Sequence, residues 1–407
     1  MQGSQVSVGY KLTEVGVIPE DWEVLPIAEL QPFVTSGSRG WAGFYSERGY
    51  PFIRITNLSR ESIYPDLKDL KLVNLPLGVS EGTRTQLQDN DLLISITADI
   101  GIIGYVSPLI PKPSYINQHI ALVRFDSSKV SSKFISYFLA SENPQKLFWA
   151  STDTGAKAGM SLITVHKILV SLPPLKEQRS IARVLSDTDA LITSLDKLIA
   201  KKRDIKQAAM QQLLTGKQRL EGFGGDWEVK RLGEIANITM GQSPSSAYYN
   251  VKGIGLPLIQ GNADVRNRET IIRIYTSQVT KRCCKGDIIL SVRAPVGEVA
   301  RTSFDACIGR GVCAISYFNN FLYHLLIFIE PQWSKLSTGS TFDSVNSTEI
   351  NNLEVYLPLN HTEQQAIAKV FSDMDSEISA LEQRRDKTKA LKQAMMQELL
   401  TGRIRLR

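Results

Sequence analysis

The sequence predicts an α+β protein in which two globular blocks are each followed by one long helix, all built on an internal repeat. Two observations carry that prediction. Glu177–Leu220 (EQRSIARVLSDTDALITSLDKLIAKKRDIKQAAMQQLLTGKQRL) returns, without a gap and with about half its positions identical, as Glu363–Leu406 (EQQAIAKVFSDMDSEISALEQRRDKTKALKQAMMQELLTGRIRL). Each copy follows a Leu-Pro pair, Leu172-Pro173 and Leu357-Pro358, and a DWEV tetrad stands at Asp21–Val24 and again at Asp226–Val229. Self-similarity of this kind marks a duplicated architecture. The length of 407 residues agrees, because a single core stops growing near ~250–300 residues.

In chain order, a lead-in (Lys11–Val24, KLTEVGVIPEDWEV) opens the first block, which runs from Trp22 to about Leu172. Short apolar runs bounded by Gly, Pro, Ser and Asn, such as Pro51–Ile55, Asp91–Ile96 and Ile102–Val106, read as strands; Lys133–Phe148 reads as helix. The first repeat copy places Ile181, Val184, Leu191, Leu195, Leu198, Ile205 and Ala209 at steps near 3.5 residues, with no Pro or Gly before Gly216. A helix from Glu177 to Leu214 is roughly 57 Å long, and a narrow apolar seam on it calls for a partner helix. The second block, Trp227 to about Leu357, has strand-like runs at Asp287–Val292 and Val312–Ile315 and a helical stretch at Phe321–Ile329. Its stretch DIILSVR (Asp287–Arg293) echoes DLLISIT (Asp91–Thr97). The second helix repeats the seam through Ile367, Val370, Met374, Ile378, Leu381 and Leu391 and stops at Gly402. The expected divisions are residues 1–171, 172–221, 222–356 and 357–407: block, helix, block, helix.

With 43% hydrophobic and 22% charged residues, the composition is that of a globular chain and excludes a disordered or fibrous one. No apolar run reaches the roughly 18 residues of a membrane span; the best, Phe321–Ile329, contains His324. The N-terminus lacks a basic stretch leading into an apolar core, so the expected location is cytoplasmic, without membrane contact. A net charge of +6 and a pI near 9.0 hint at a polyanionic partner. The basic residues cluster at corresponding points of the repeat: Lys201, Lys202, Arg203 and Lys206, then Arg384, Arg385, Lys387, Lys389 and Lys392.

Catalytic motifs are absent. Gly253 and Gly255 give only GxG, with Leu258 where a third glycine would stand, and there is no GxxxxGK[ST] phosphate loop. Pro65-Asp66 with Asp69-Leu70-Lys71 has nuclease residue types, but their spacing is too tight to surround one metal. Asn143-Pro144-Gln145 does not supply the Asn/Asp-Pro-Pro-aromatic loop of an amino-methylating enzyme. Cys283, Cys284, Cys307 and Cys313 do not match zinc spacings and are expected mainly as small buried apolar residues. His119, His166, His324 and His361 do not cluster, so no catalytic residue, metal or cofactor is expected.

Four polar, glycine-containing loops recur in the same order in both blocks. In the first they offer Ser38 and Arg39, then Arg54, Thr56 and Asn57, then Thr97, then Lys157; in the second, Gln242 and Ser243, then Gln260 and Asn262, then Arg293, then Thr341. Arg, Asn and Gln make bidentate contacts to base edges, while Ser, Thr and Lys suit phosphates, so these residues are candidates for DNA binding.

The lead-in with DWEV, the divergent block, the Leu-Pro pair and the helix opening EQ-x-x-IA and closing LLTG, all present twice, resemble the specificity subunit of type I restriction-modification systems. Leu172–Gly216, Leu357–Gly402, the lead-in and DIILSVRAPVG (Asp287–Gly297) carry the likeness, which spans essentially the whole chain. The resemblance implies a non-catalytic subunit whose two target-recognition domains each read one half of a bipartite, asymmetric site in double-stranded DNA. It implies that the helices pair as an antiparallel coiled coil, set the spacing and dock two methylation subunits. S-adenosylmethionine, ATP and Mg would belong to partners, those methylation subunits and the motor-nuclease restriction subunits. In the first block Thr97-Ala98-Asp99 replaces Arg293-Ala294-Pro295, a departure from the pattern. The alternatives are a fused methyltransferase or nuclease, which lacks its motifs here, and a coiled-coil assembly protein whose blocks bind protein or carbohydrate.

Overall fold

The computed structural model describes residues 7–76, 81–152, 159–333 and 344–407, in two compact units. One unit joins Met1–Leu195 to Arg384–Arg407; the other is Asp196–Gln383. Each therefore holds one globular block and one end of each long helix.

In the first unit the strands Phe33–Ser36, Ile120–Arg124, Leu92–Ser95 and Ile103–Tyr105 lie in that order in one antiparallel sheet. A smaller sheet pairs Tyr115–Ile116 in parallel with Phe52–Ile53 and carries Lys71–Val73 and Tyr45–Ser46 beyond. In the second unit Asn237–Met240, Val312–Ser316, Ile288–Ser291 and Val299–Arg301 repeat the first order, and Ala306–Ile308 runs parallel to Leu256–Ile259 as its counterpart does. The blocks thus share a topology far more alike than their sequences, which echo each other at DLLISIT and DIILSVR. Glu23–Pro26 pairs with Leu169–Leu172, and Trp227–Arg231 with Glu354–Pro358, so each DWEV strand closes its block against the strand leading into a helix.

The predicted helix at Lys133–Phe148 is two helices, Ser132–Leu139 and Glu142–Thr152. Pro144 explains the break, since proline is tolerated in a first turn but not in an interior. The predicted strand Pro51–Ile55 stops at Ile53, where Arg54 opens a short 3-10 turn. Phe321–Ile329 is helical as expected.

The long helices run Leu175–Leu213 and His361–Leu399. Their repeated letters have mechanical meaning. Gln178 Nε2 donates to Pro173 O and Gln364 Nε2 to Pro358 O, both at 2.8 Å, tying each helix start to its Leu-Pro pair. The buried Glu177 takes both Nε and Nη2 of Arg405, and Glu363 takes the same atoms of Arg219. Each helix ends at a left-handed glycine, Gly216 (φ +68°) and Gly402 (φ +69°). A Cβ on Gly402 would run into Pro19 and Trp22, and one on Gly216 would press on Trp227 at 3.3 Å.

Within each unit the helix segments pair antiparallel. Asp189 accepts from Lys392 at 2.6 Å in the first; in the second Lys206 pairs with Asp375 at 2.5 Å and Lys202 with Glu377 at 2.7 Å. Asp189–Lys392 and Asp375–Lys206 are the same repeat positions with the helices exchanged. The seam agrees with the predicted one in part: Ile181, Leu195, Ile367 and Ile378 are buried as expected. Its sheltered positions recur every seven residues, Leu185, Ile192, Ile199, Lys206 and Leu213, then Phe371, Ile378, Arg385, Lys392 and Leu399. Leu191, Leu198, Ile205 and Leu391, counted in the seam from sequence, are exposed. Lysine stems take seam positions instead, their ammonium heads neutralised by aspartates across the pair.

Each core joins sheet, short helix and long helix. Phe134 meets Trp22 edge-on at 6.4 Å in one, and Phe321 meets Trp227 at 6.2 Å in the other. Where Tyr137 donates to Asp189 at 2.6 Å, the second unit has the buried His324, 3.3 Å from Ser372 Oγ. Burial, with Lys206 and Arg301 nearby, pushes the His324 imidazole down to about 3, so it sits neutral in the core.

Candidate nucleic-acid interface

The parallel pairing of Tyr115–Ile116 with Phe52–Ile53 brings several loops to one edge of the first unit. Gly37 N donates to Ile120 O at 3.3 Å, Asn117 N to Ile53 O at 3.3 Å, and Ile96 N to His119 O at 2.9 Å. These bonds gather the Ser36–Arg39, Arg54–Asn57 and Thr97 loops around Asn117–His119. Arg39 and Thr56 are exposed there. Ser38 Oγ accepts from Arg84 Nη2 at 3.2 Å, and Arg84 also holds Ser36 O at 3.0 Å, so Arg84 braces this loop. Thr97 Oγ1 is hydrogen-bonded to His119 Nδ1.

Arg54 and Asn57 differ in what they can offer. Asn57 is buried; its Oδ1 accepts from Arg54 N at 3.0 Å, and its Nδ2 donates to Asp66 O and Asp69 O at 3.1 and 3.2 Å. The amide is spent inside the turn, which corrects its placement among the reading residues: it is a brace. Arg54 stays half-buried, with Nη2 donating to Asp69 O at 3.3 Å.

The acidic departure in the first block is neutralised internally. Arg60 pairs with Asp99, donates to Ile100 O at 3.0 Å and reaches Gln145 Oε1. This latch holds a loop in which Ala98 has a left-handed φ of +61°, a conformation alanine rarely adopts.

The second unit builds the same edge. Gln242 N donates to Ile308 O at 2.9 Å, Gly309 N to Ile259 O at 2.7 Å, and Val292 N to Gly311 O at 2.9 Å. Gln242, Asn262 and Arg293 are exposed, and Gln260 Nε2 lies 2.8 Å from Tyr249 Oη. Ser243 Oγ accepts from Arg310 N at 3.1 Å. Asp264 repeats the role of Asn57, its Oδ2 accepting from Gln260 N at 2.7 Å. Thr97 forms a β-bridge with Gly159, and Arg293 one with Ser344, so the third loop has the same neighbour in both units. Lys157 and Thr341 lie outside the described residues.

The structure gathers most of the described candidates at one edge per unit, beside Arg60, Arg84, Asn117, Gln118, His119 and Arg310, which were not among the residues expected from sequence. Gln118 and Arg310 occupy matching places directly after parallel-paired strands, a long-range pairing that local patterning does not carry. Cys283, Cys307 and Cys313 are buried, and burial pushes the Cys283 and Cys313 thiols up to about 12, the behaviour of inert core cysteines. Among the described residues no three His, Cys, Asp or Glu side chains group as metal ligands, and no helix is long and apolar enough to cross a membrane.

The chain is 30% identical to the specificity subunit assigned to the type I restriction enzyme MjaX of Methanocaldococcus jannaschii, over 98% of this chain and 97% of that one. Two solved structures share the fold. The type I restriction-modification S subunit from M. genitalium aligns over 96% of this chain and 97% of its own at 16% identity and a TM-score of 0.64. A chain solved in work on complex assembly and conformational transition of the type I R-M system aligns over 95% and 99% at 22% and 0.56. The family model of the type I restriction modification DNA specificity domain matches twice, over residues 19–204 and 224–391. With both blocks and most of both helices inside those matches, the chain belongs to the family of type I restriction-modification DNA specificity subunits.

Proposed function

We propose that this chain is the DNA-reading subunit of a type I restriction-modification complex. Each block acts as a target-recognition domain for one half of a bipartite, asymmetric site. The carrying observation is that two blocks of different sequence present the same set of polar loops on the same edge, each mounted on an ion-paired end of the repeated helices. The helices set the half-site spacing and dock two methylation subunits. Those subunits supply S-adenosylmethionine, and motor-nuclease subunits supply ATP- and Mg-dependent cleavage; the chain itself catalyses nothing. Purified alone, it is expected to transfer no methyl group from S-adenosylmethionine to DNA. With its methylation subunit it should shift DNA in a gel and yield one bipartite motif by methylome sequencing. Methyl transfer by the rigorously purified chain, or no motif with the partner, would sink the proposal.

The second-unit loops provide a sharper expectation. Replacing Gln260 or Arg293 by Ala should weaken specific binding by about 1–3 kcal/mol and relax one base of the second half-site, if each forks onto a base edge. A contact to phosphate only would weaken binding to all sequences alike and lower the salt slope by about one. Competition binding at several salt concentrations measures both, and unchanged affinity and motif in both variants would make these loops solvated turns.

A further inference from the structure

We infer that Arg310 is a specificity-determining residue that reads a guanine in the second half-site, with Gln118 its counterpart on an adenine in the first; this rests on the DNA-reading function proposed above.

The geometry at 310 is unusual for a surface arginine. Gly309 and Gly311 flank it, the first in a tight space and the second with no room for a side chain. A Cβ on Gly309 would approach Ser243 Oγ at 3.2 Å and Gln260 at 3.3 Å, and one on Gly311 would strike Gln260 O. The loops around Ser243, Gln260 and Val292 are thereby drawn in on three sides, and the backbone at 310 is fixed by its N–H on Ser243 Oγ at 3.1 Å. From the middle of this knot one long side chain emerges exposed, and no described residue partners its guanidinium. Other arginines of the second unit are committed: Arg219 to Glu363, Arg268 to Glu330, Arg282 to Asp305. A planar fork held at its root and free at its tip suits the O6 and N7 of guanine.

The first unit has the same loop with different letters. Asn117 stands in the place of Gly309, its Oδ1 accepting from His119 N at 3.2 Å, and His119 is joined to Thr97. Gln118 is half-buried, its Nε2 3.1 Å from His119 Nε2. Gln matches the N6 and N7 of adenine, so one topological position carries a different reading head in each unit.

The test measures competition binding of the complex with its methylation subunit, wild type and R310Q, on the cognate duplex and on duplexes changed singly at each base of both half-sites. R310Q should lose discrimination roughly tenfold or more at one guanine of the second half-site and keep it at every other position. A Q118A complex should do likewise at one adenine of the first half-site only. Discrimination by R310Q that matches wild type at every base, with or without a uniform loss of affinity, overturns the inference, as does a fall to non-specific affinity for all duplexes. A wild-type complex that discriminates at no base would instead overturn the functional proposal on which it rests.

Discussion

Inserting one heptad into each long helix is expected to lengthen the gap between the two half-sites by about three base pairs while leaving the bases read unchanged. Seven residues keep the period-seven seam in phase and add roughly 10 Å to the helix. At about 3.4 Å per base pair that is three base pairs, which also turn the duplex by roughly 100°, so the new site should bind more weakly. The insertion belongs after Ala200 and at the facing turn before Leu381. Lys202–Glu377 and Lys206–Asp375 then stay together on one side of it, and Asp189–Lys392 on the other. Methylome sequencing of a host carrying the variant and the methylation subunit reads the result. A folded, active variant with the original spacing would show that the helices are not the ruler, and altered half-site bases would show that they are more than a spacer.

Replacing Arg405 by Ala should destabilise the first unit by about 3–5 kcal/mol, the cost of leaving a buried carboxylate without its cation. Arg405 donates to both oxygens of Glu177 at 2.8 Å and to both of Asp21 at 2.7–2.8 Å, and it lies over the Trp22 ring at 5.6 Å. Glu177 is 2% exposed and also accepts from the Leu406 N–H at 3.1 Å. Removing the carboxylate charge as well, in Glu177→Gln with Arg405→Ala, should recover part of the loss; a double variant as unstable as the sum of the singles would show that the two groups do not act on each other.

The same lock makes an acid-sensitive joint. Burial alone would raise the Glu177 carboxyl, but the Arg405 fork and the Leu406 amide hold it below its ordinary value of 4.5; Arg405 likewise lowers Asp21 from 3.8. A carboxyl with a depressed folded pKa contributes stability that is fully present above its unfolded pKa and is lost as pH falls through the folded one. The stability gap between wild type and Arg405→Ala in urea unfolding should therefore be full near neutrality and shrink as pH falls, starting above 4.5, where the unpaired, burial-raised Glu177 of the variant takes up its proton, and continuing below it. A gap independent of pH would contradict the ionic origin of the lock.

The frame was far more legible in the sequence than the site. The paired EQ and LLTG segments placed both helices within about two residues of their ends, because Gln178, Gln364, Gly216 and Gly402 each perform a local task that fixes a residue type. The seam was harder. Leu191, Leu198 and Ile205 have the right spacing and the right chemistry, yet they stay exposed because each stands one position before the sheltered line of Ile192, Ile199 and Lys206, on which Lys206 is admitted by the aspartate across the pair. At the site, composition pointed to the loops but could not separate arms from braces. Asn57 and Arg39 look equally suited to a base edge, and only the turn geometry shows that Asn57 has no free donor left. Gln118 and Arg310 escaped because their position depends on a parallel strand pairing between residues some 50 to 60 apart in sequence.

The discontinuity of the first unit has a consequence for the order in which the protein can be made. Its block is translated first, but Arg405, Gly402 and the Leu399–Leu400 part of its core emerge only after the whole of Asp196–Gln383. At roughly 5–20 residues per second the wait is on the order of ten seconds or more. Through that interval Glu177 is ionised at neutral pH with no guanidinium opposite, and the Trp22 side of the core is uncovered. The second unit, being contiguous, can close its own Arg219–Glu363 lock as soon as its helix leaves the ribosome. The part synthesised first is therefore finished last, and a ribosome that stalls before Arg405 leaves its damage in the unit it began earlier.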